Sequence, residues 1–205
     1  MTNPRKHGII KSGSGEMEQA KKRDHKVYIT DTAIEKVGAV RLSDFSDKQI
    51  SDMQNMHKEL LRIAKDKNDS NEVLFISSLD FISYVTVFGS EHTVEPGRNP
   101  FAVSVAANSP KYSLVYMHNH PSTNTFSLAD IDTFVCDGVV KVMSVVTNQG
   151  EVYVLNKTTD FDYDKARRLL FDINASLPDD KDIGHNFVKE FLKRCSEGGM
   201  EYGKK

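Results

Sequence analysis

The chain has 205 residues, 39% of them hydrophobic and 27% charged, with a formal net charge of -2. That length suits one domain with extensions, and the balance is that of an ordinary soluble globular protein with no general electrostatic pull toward nucleic acid or anionic membrane. No apolar run approaches the ~18 residues of a membrane span and residues 1–20 lack the apolar core of a signal peptide, so a cytoplasmic address and no membrane partner are expected. Two cysteines, Cys136 and Cys195, are too few for a disulfide framework and are expected to be reduced.

Met1 to Lys26 carries seven basic residues against three acidic ones, interrupted by Ser12-Gly-Ser-Gly. Such a segment cannot bury enough apolar surface to offset its ordering entropy, so residues 1–26 are read as a flexible basic tail. A nucleic-acid or partner-docking arm is the functional alternative, and it is not the favoured one. Val27-Tyr-Ile-Thr and Val37-Gly-Ala-Val-Arg-Leu then look like short strands. Ser46 opens a helix, with Gln49 completing a capping box, and Ile50, Met53, Leu60, Leu61 and Ala64 recur near helical spacing. His57 lies beside that stripe and reads as structural. Val73 to Ile76 and Ile82 to Phe88 read as strands, rich in β-branched and aromatic residues. Phe101 to Ala107 fits either a helix or a short strand. Leu114 to Met117 is a strand running into His118 and stopped by Pro121, which cannot continue a central strand. Leu128 to Asp137 reads as a helix, and Lys141–Thr147 with Glu151–Leu155 as a hairpin around Asn148-Gln-Gly. Two helices, about Tyr163–Ser176 and Asp180–Ser196, complete a C-terminal helical extension over 161–205. The expected fold is therefore α+β, a mixed β-sheet flanked by helices, with the central domain over 27–160.

The segment that carries chemistry is His118-Asn-His120-Pro-Ser-Thr-Asn-Thr-Phe-Ser127-Leu-Ala-Asp130. In a strand, side chains at i and i+2 share a face, so His118 and His120 present two imidazoles side by side. The turn after Pro121 brings Ser127 and Asp130 back in the first turn of the next helix, where Asp130 can meet both histidines. Two imidazoles and one carboxylate suit zinc and leave a fourth tetrahedral position open, which is the mark of a catalytic site. Such a site needs a general base, and Glu72, at the mouth of the strand that starts at Val73, is the first choice. Glu91 and Glu95, in the loop from Gly89 to Gly97, are its rivals. The Ser127 hydroxyl is placed to hydrogen-bond the attacking water or a developing oxyanion. Ser-x-x-acid at a helix start is also a capping arrangement worth about 1 kcal/mol, and the two readings are compatible.

His-x-His-Pro followed by Ser-x-x-Asp, with an isolated Glu heading an earlier strand, resembles the signature of the JAB/MPN-plus (JAMM) zinc metalloproteases. His-Asn-His-Pro-Ser is similar to the bacterial and phage branch, which includes RadC-like proteins. The resemblance covers roughly Asn71 to Lys157. It implies a cytidine-deaminase-like three-layer fold, zinc bound by His118, His120 and Asp130, Glu72 as general acid/base and Ser127 at the oxyanion. Nine residues separate His120 from Asp130, one fewer than in the eukaryotic deubiquitinase pattern, while Ser127-x-x-Asp130 keeps its internal spacing. The activity implied is hydrolysis of a peptide or isopeptide bond in a protein tail, with a ubiquitin-like protein among the substrates to consider. A RadC-like role near DNA, and a zinc-binding interaction module without hydrolysis, are the alternatives.

The tail reading has a direct consequence. Removing residues 1–24 is expected to change the stability of the remaining chain by less than ~2 kcal/mol in a urea titration, and a larger loss would make the tail part of the core.

Overall fold

The structure is a computed structural model, and it describes residues 26–178 and 181–205. The basic tail read from the sequence over 1–26 lies, except for Lys26, outside the described residues. A six-stranded mixed sheet forms the centre: β1 (Val73–Ser78), β2 (Tyr84–Phe88), β3 (Leu114–His120), β4 (Val140–Thr147), β5 (Val152–Lys157) and β6 (Met200–Lys204). Their order across the sheet is β2-β1-β3-β4-β5-β6. Only β3 and β4 run parallel, and every other neighbouring pair is antiparallel. A parallel pair needs a crossover, which α4 (Leu128–Cys136) supplies.

Helices cover both faces. On one, α2 (Asp47–Lys67) and the short α1 (Asp31–Lys36) pack through Met53, Leu60, Leu61 and Ile34 onto Phe75, Val115, Met117 and Val142. On the other, α4, α5 (Tyr163–Ser176) and α6 (Ile183–Arg194) bring Phe134, Ile173 and Phe191 against Ile76, Tyr116, Val145 and Leu155. Strand residues assigned to the two cores alternate along β1 and β3, which is why the central strands read as near-continuous apolar runs. The fold is α+β, with a mixed sheet flanked by helices. Among the described residues no helix is long and apolar enough to cross a membrane.

The helix starts follow their capping chemistry. Ser46 accepts from Gln49 N while Gln49 Oε1 accepts from Ser46 N, completing the box expected for α2. The ambiguous segment at Phe101 is a helix, α3 (Pro100–Asn108): Asn99 Oδ1 caps it at Phe101 N and Ala102 N, and proline occupies its first position.

Two expectations are corrected. Val27–Thr30 and Val37–Leu42 are not strands. Thr30 caps α1, and Ile29, Val37, Val40 and Leu42 are buried with no place in the ladder. Alternating apolar residues report burial, and here it is achieved by irregular chain whose amide groups find other acceptors, such as Ser70 Oγ for Ile29 N. The stretch 161–205 is also more than a helical extension. Gly199 turns the chain at a φ of 73°, and Met200–Lys204 pairs with β5 as a sixth strand. A side chain at Gly199 would collide with the carbonyl oxygen of Asp160, so only glycine makes that approach.

His57 is fully engulfed in the α2 face and shares a 2.8 Å hydrogen bond between its Nε2 and Ser144 Oγ. Burial holds its pKa down to about 4. An unfolded chain protonates this ring near pH ~6.5, whereas the folded chain keeps it neutral to about 4, so stability present above 6.5 is lost as pH falls between those values. His57→Gln keeps a donor near Ser144 without titrating. Denaturant unfolding of metal-free protein at pH 7.5 and 4.5 should show wild type losing on the order of 2 kcal/mol more than the variant. Parallel losses would assign the acid sensitivity elsewhere.

Candidate metal centre

The end of β3 places His118, Asn119 and His120 in sequence, all three buried. Alternation sends His118 and His120 to the α4 face and Asn119 to the α2 face. Pro121 ends the strand, and a six-residue loop returns the chain to Ser127, the N-cap of α4. Because α4 starts beside the strand that feeds it, its third residue, Asp130, faces the histidine pair.

The distances are those of a closed cluster. His118 Nε2 and His120 Nε2 lie 3.0 Å apart. Asp130 Oδ1 is 3.3 Å from His118 Nε2, and Asp130 Oδ2 is 3.6 Å from His120 Nε2. All three offer a donor atom within 4.8 Å of the others, and among the described residues this is the group of three or more that meets that test. His120 Nδ1 faces Asn124 O at 3.3 Å, a bond that leaves Nε2 free to coordinate. Asp132, two residues beyond, is not part of the cluster; its carboxylate faces the Cys136 thiol.

Asp130 has two tasks. Its Oδ2 accepts from Ser127 N and from Ser127 Oγ, each at 2.7 Å, while Asp130 N donates to Ser127 Oγ. The capping box and the approach of Asp130 to the histidines are thus one arrangement, and the hydroxyl of Ser127 is spent on holding Asp130. An oxyanion role for Ser127 requires that bond to open.

The charges are unevenly shared. Burial pulls the His118 pKa down, but the Asp130 carboxylate and then Glu72 outweigh it, and the net shift is upward. Burial and the neighbouring His118 push His120 down to about 4. Burial alone would raise Asp130; the charge of His118, its hydrogen bond and His120 hold it far below the ordinary carboxylate range instead. The Asp130 carboxylate thus favours the proton on His118 over His120.

Glu72 reaches the same cleft. The β1–β3 register pairs Leu74 with His118, and continuing it by two residues sets Glu72 level with His120 on the same face. Its side chain is buried, and burial first, with Asp130 adding to it against the opposing pull of His118, pushes its pKa up to about 7. Of the two rivals, Glu91 lines the cleft and Glu95 does not; Glu95 is paired with Arg98 at 2.5 Å. The cleft measures about 1240 Å³ and is floored by Leu74, Tyr116 and Met143, with His185, Val188 and Lys189 of α6 along one wall. This wall was not foreseen. The spacing of His185, Val188, Lys189 and Leu192 marks one helical face, but nothing local says which cleft that face borders.

Comparisons with known protein families, with characterised proteins and with solved structures find nothing that matches this chain. The chemistry of the cluster therefore rests on its geometry and donor set. Two imidazole nitrogens and one carboxylate fit a divalent ion of the zinc type.

Coordination needs both imidazoles neutral, so loading must expel the proton that Asp130 favours on His118. Elemental analysis is expected to find one zinc per chain, and less than about a tenth of an equivalent after purification in zinc without chelators would reject the site. In weakly buffered solution, zinc uptake should release more protons at pH 6 than at pH 8.5, because the protonated fraction of His118 falls as pH rises.

Proposed function

We propose that the chain is a zinc-dependent metallopeptidase or isopeptidase of the JAB/MPN-plus (JAMM) type, acting on a peptide or isopeptide bond in a protein tail. The observation that carries this reading is the convergence of His118, His120 and Asp130 in a cleft that also buries Glu72. A bound zinc would supply Lewis acidity toward a carbonyl oxygen and lower the pKa of a water molecule.

The remaining work falls to side chains of the chain. His118, His120 and Asp130 would hold the ion. Glu72, with a pKa pushed up to about 7, takes a proton from the attacking water near neutral pH and returns it to the leaving amine. Ser127 keeps Asp130 in its ligand orientation through two bonds to Oδ2. The cleft, at about 1240 Å³, exceeds the ~300–1,000 Å³ of ordinary small-molecule pockets and suits an extended peptide segment.

Glu72→Gln separates the chemistry from the metal. Glutamine preserves size and reach but accepts no proton, so the variant should keep its zinc and fold while cleavage of a fluorescence-quenched peptide or isopeptide library falls by at least ~10²-fold. His120→Ala should lose zinc and cleavage together. Wild-type cleavage should stop on chelation and return with zinc. Full activity in Glu72→Gln would move the base to another group, with Glu91 the next to test.

A further inference from the structure

Between the two histidines lies a residue that the proposed chemistry does not use. Asn119 is completely buried, and its side chain leaves β3 on the face opposite to His118 and His120. Every polar position of its carboxamide is engaged. Oδ1 accepts from Val73 N at 2.8 Å, while Nδ2 donates to Asn71 O at 3.1 Å and to Asn148 Oδ1 at 2.8 Å. The first two bonds grip the chain immediately before and immediately after a single residue, Glu72.

This grip replaces ladder bonds that are missing. The β1–β3 pairing stops at Leu74–His118. On the β2 side the backbone of Glu72 is tied, its N donating to Ser90 O at 2.9 Å and its O accepting from Gly89 N at 2.8 Å. Toward β3, among the described residues, no backbone bond joins 70–72 to 119–121. The Asn119 carboxamide spans that gap. Asn148 backs it, donating from Nδ2 to Ser70 O at 2.8 Å and to Val27 O at 2.7 Å, and from its backbone N to His120 O at 3.0 Å. One buried amide pair thus binds together the approach to β1, the end of β3 and the β4–β5 turn.

The geometry points to Asn119 as the positioning residue that sets the Glu72 carboxylate against His118, His120 and Asp130, an inference that rests on Glu72 carrying the proton in the proposed hydrolysis. The residue type follows from the task. The position needs one acceptor and two donors at a fixed reach from β3; aspartate has no donor, serine has one, and glutamine is a methylene too long. The strand's alternation then gives His-Asn-His two functions on two faces, ligands on one and the clamp that aligns the base on the other.

The test uses the zinc-loaded full chain and the best-cleaved peptide of the quenched library. Asn119→Ala should lower kcat by about 10²-fold, the scale associated with a ~1 Å misplacement, with KM and zinc stoichiometry kept. In the Glu72→Gln background the same substitution should change kcat by less than about threefold, because the group it misplaces is already gone. Equal losses in both backgrounds would make Asn119 merely structural and overturn the proposal. Asn119→Ser, which leaves a hydroxyl and a smaller void, should show the same pattern and serves if the alanine variant does not fold. His57→Gln, buried elsewhere under α2, controls for general destabilisation and should keep its kcat. A second arm needs no substrate. With zinc bound, the Val73 amide should exchange its hydrogen at least about 10²-fold faster in Asn119→Ala than in wild type or His57→Gln, having lost its acceptor. Unchanged protection of Val73 would overturn the clamp. Fast exchange in a zinc-loaded chain that cleaves no peptide would leave the clamp standing and sink the hydrolytic reading instead.

Discussion

A central strand buried on both faces has no solvent in which to lose a polar side chain, and β3 ends in three of them. His118, Asn119 and His120 must each find partners inside the protein, since an unpaired buried polar group costs about 1–3 kcal/mol. Alternation decides who partners whom. The two imidazoles can only meet what α4 and β1 bring to one face, and the amide can only meet what the β1 approach and the β4–β5 turn bring to the other. The approach of Asp130 to His118 and the tethering of the backbone on either side of Glu72 both accompany the satisfaction of that strand end.

Asp130 closes a helix cap and faces the histidine pair with the same carboxylate. A carboxylate has two oxygens and about four lone-pair sites. Oδ2 closes the capping box of α4, where the helix N-terminus favours negative charge, while Oδ1 turns to His118. The charge and hydrogen bond of His118, with His120 and the backbone bond from Ser127, hold the group ionised despite its burial. A carboxylate anchored by a helix cap has little freedom left to lose, so its ordering is met largely by folding.

The cleft owes its position to topology. The single parallel pair, β3 with β4, requires a crossover helix, and the start of that helix necessarily lies near the carboxyl end of β3. Residues 161–205 complete the surroundings from far along the chain. Helix α6 walls the cleft, and β6 closes the sheet beyond β5. The segment read as a C-terminal helical extension therefore both borders the cleft and completes the sheet.

Local geometry was readable without a structure. The i, i+2 histidines, the Ser-x-x-Asp start of α4 and the capping box of α2 are patterns within a few residues, where strand and helix periods alone dictate geometry. The strands β1 to β5 and the helices α2, α4 and α5 announced themselves for the same reason. Residues 27–42 did not, because apolar alternation measures burial and says nothing about whether a ladder partner exists. Nor did β6: Met-Glu-Tyr-Gly-Lys has no β-branched residue, and it becomes a strand because the free edge of β5 offers it hydrogen bonds. Glu72 was visible as an acid before a strand, but its level relative to His120 is set by the β1–β3 register, and nothing in the sequence assigned Asn119 a task between the two histidines. What such a residue does depends on which distant backbone groups arrive opposite it, and that is decided when the sheet assembles.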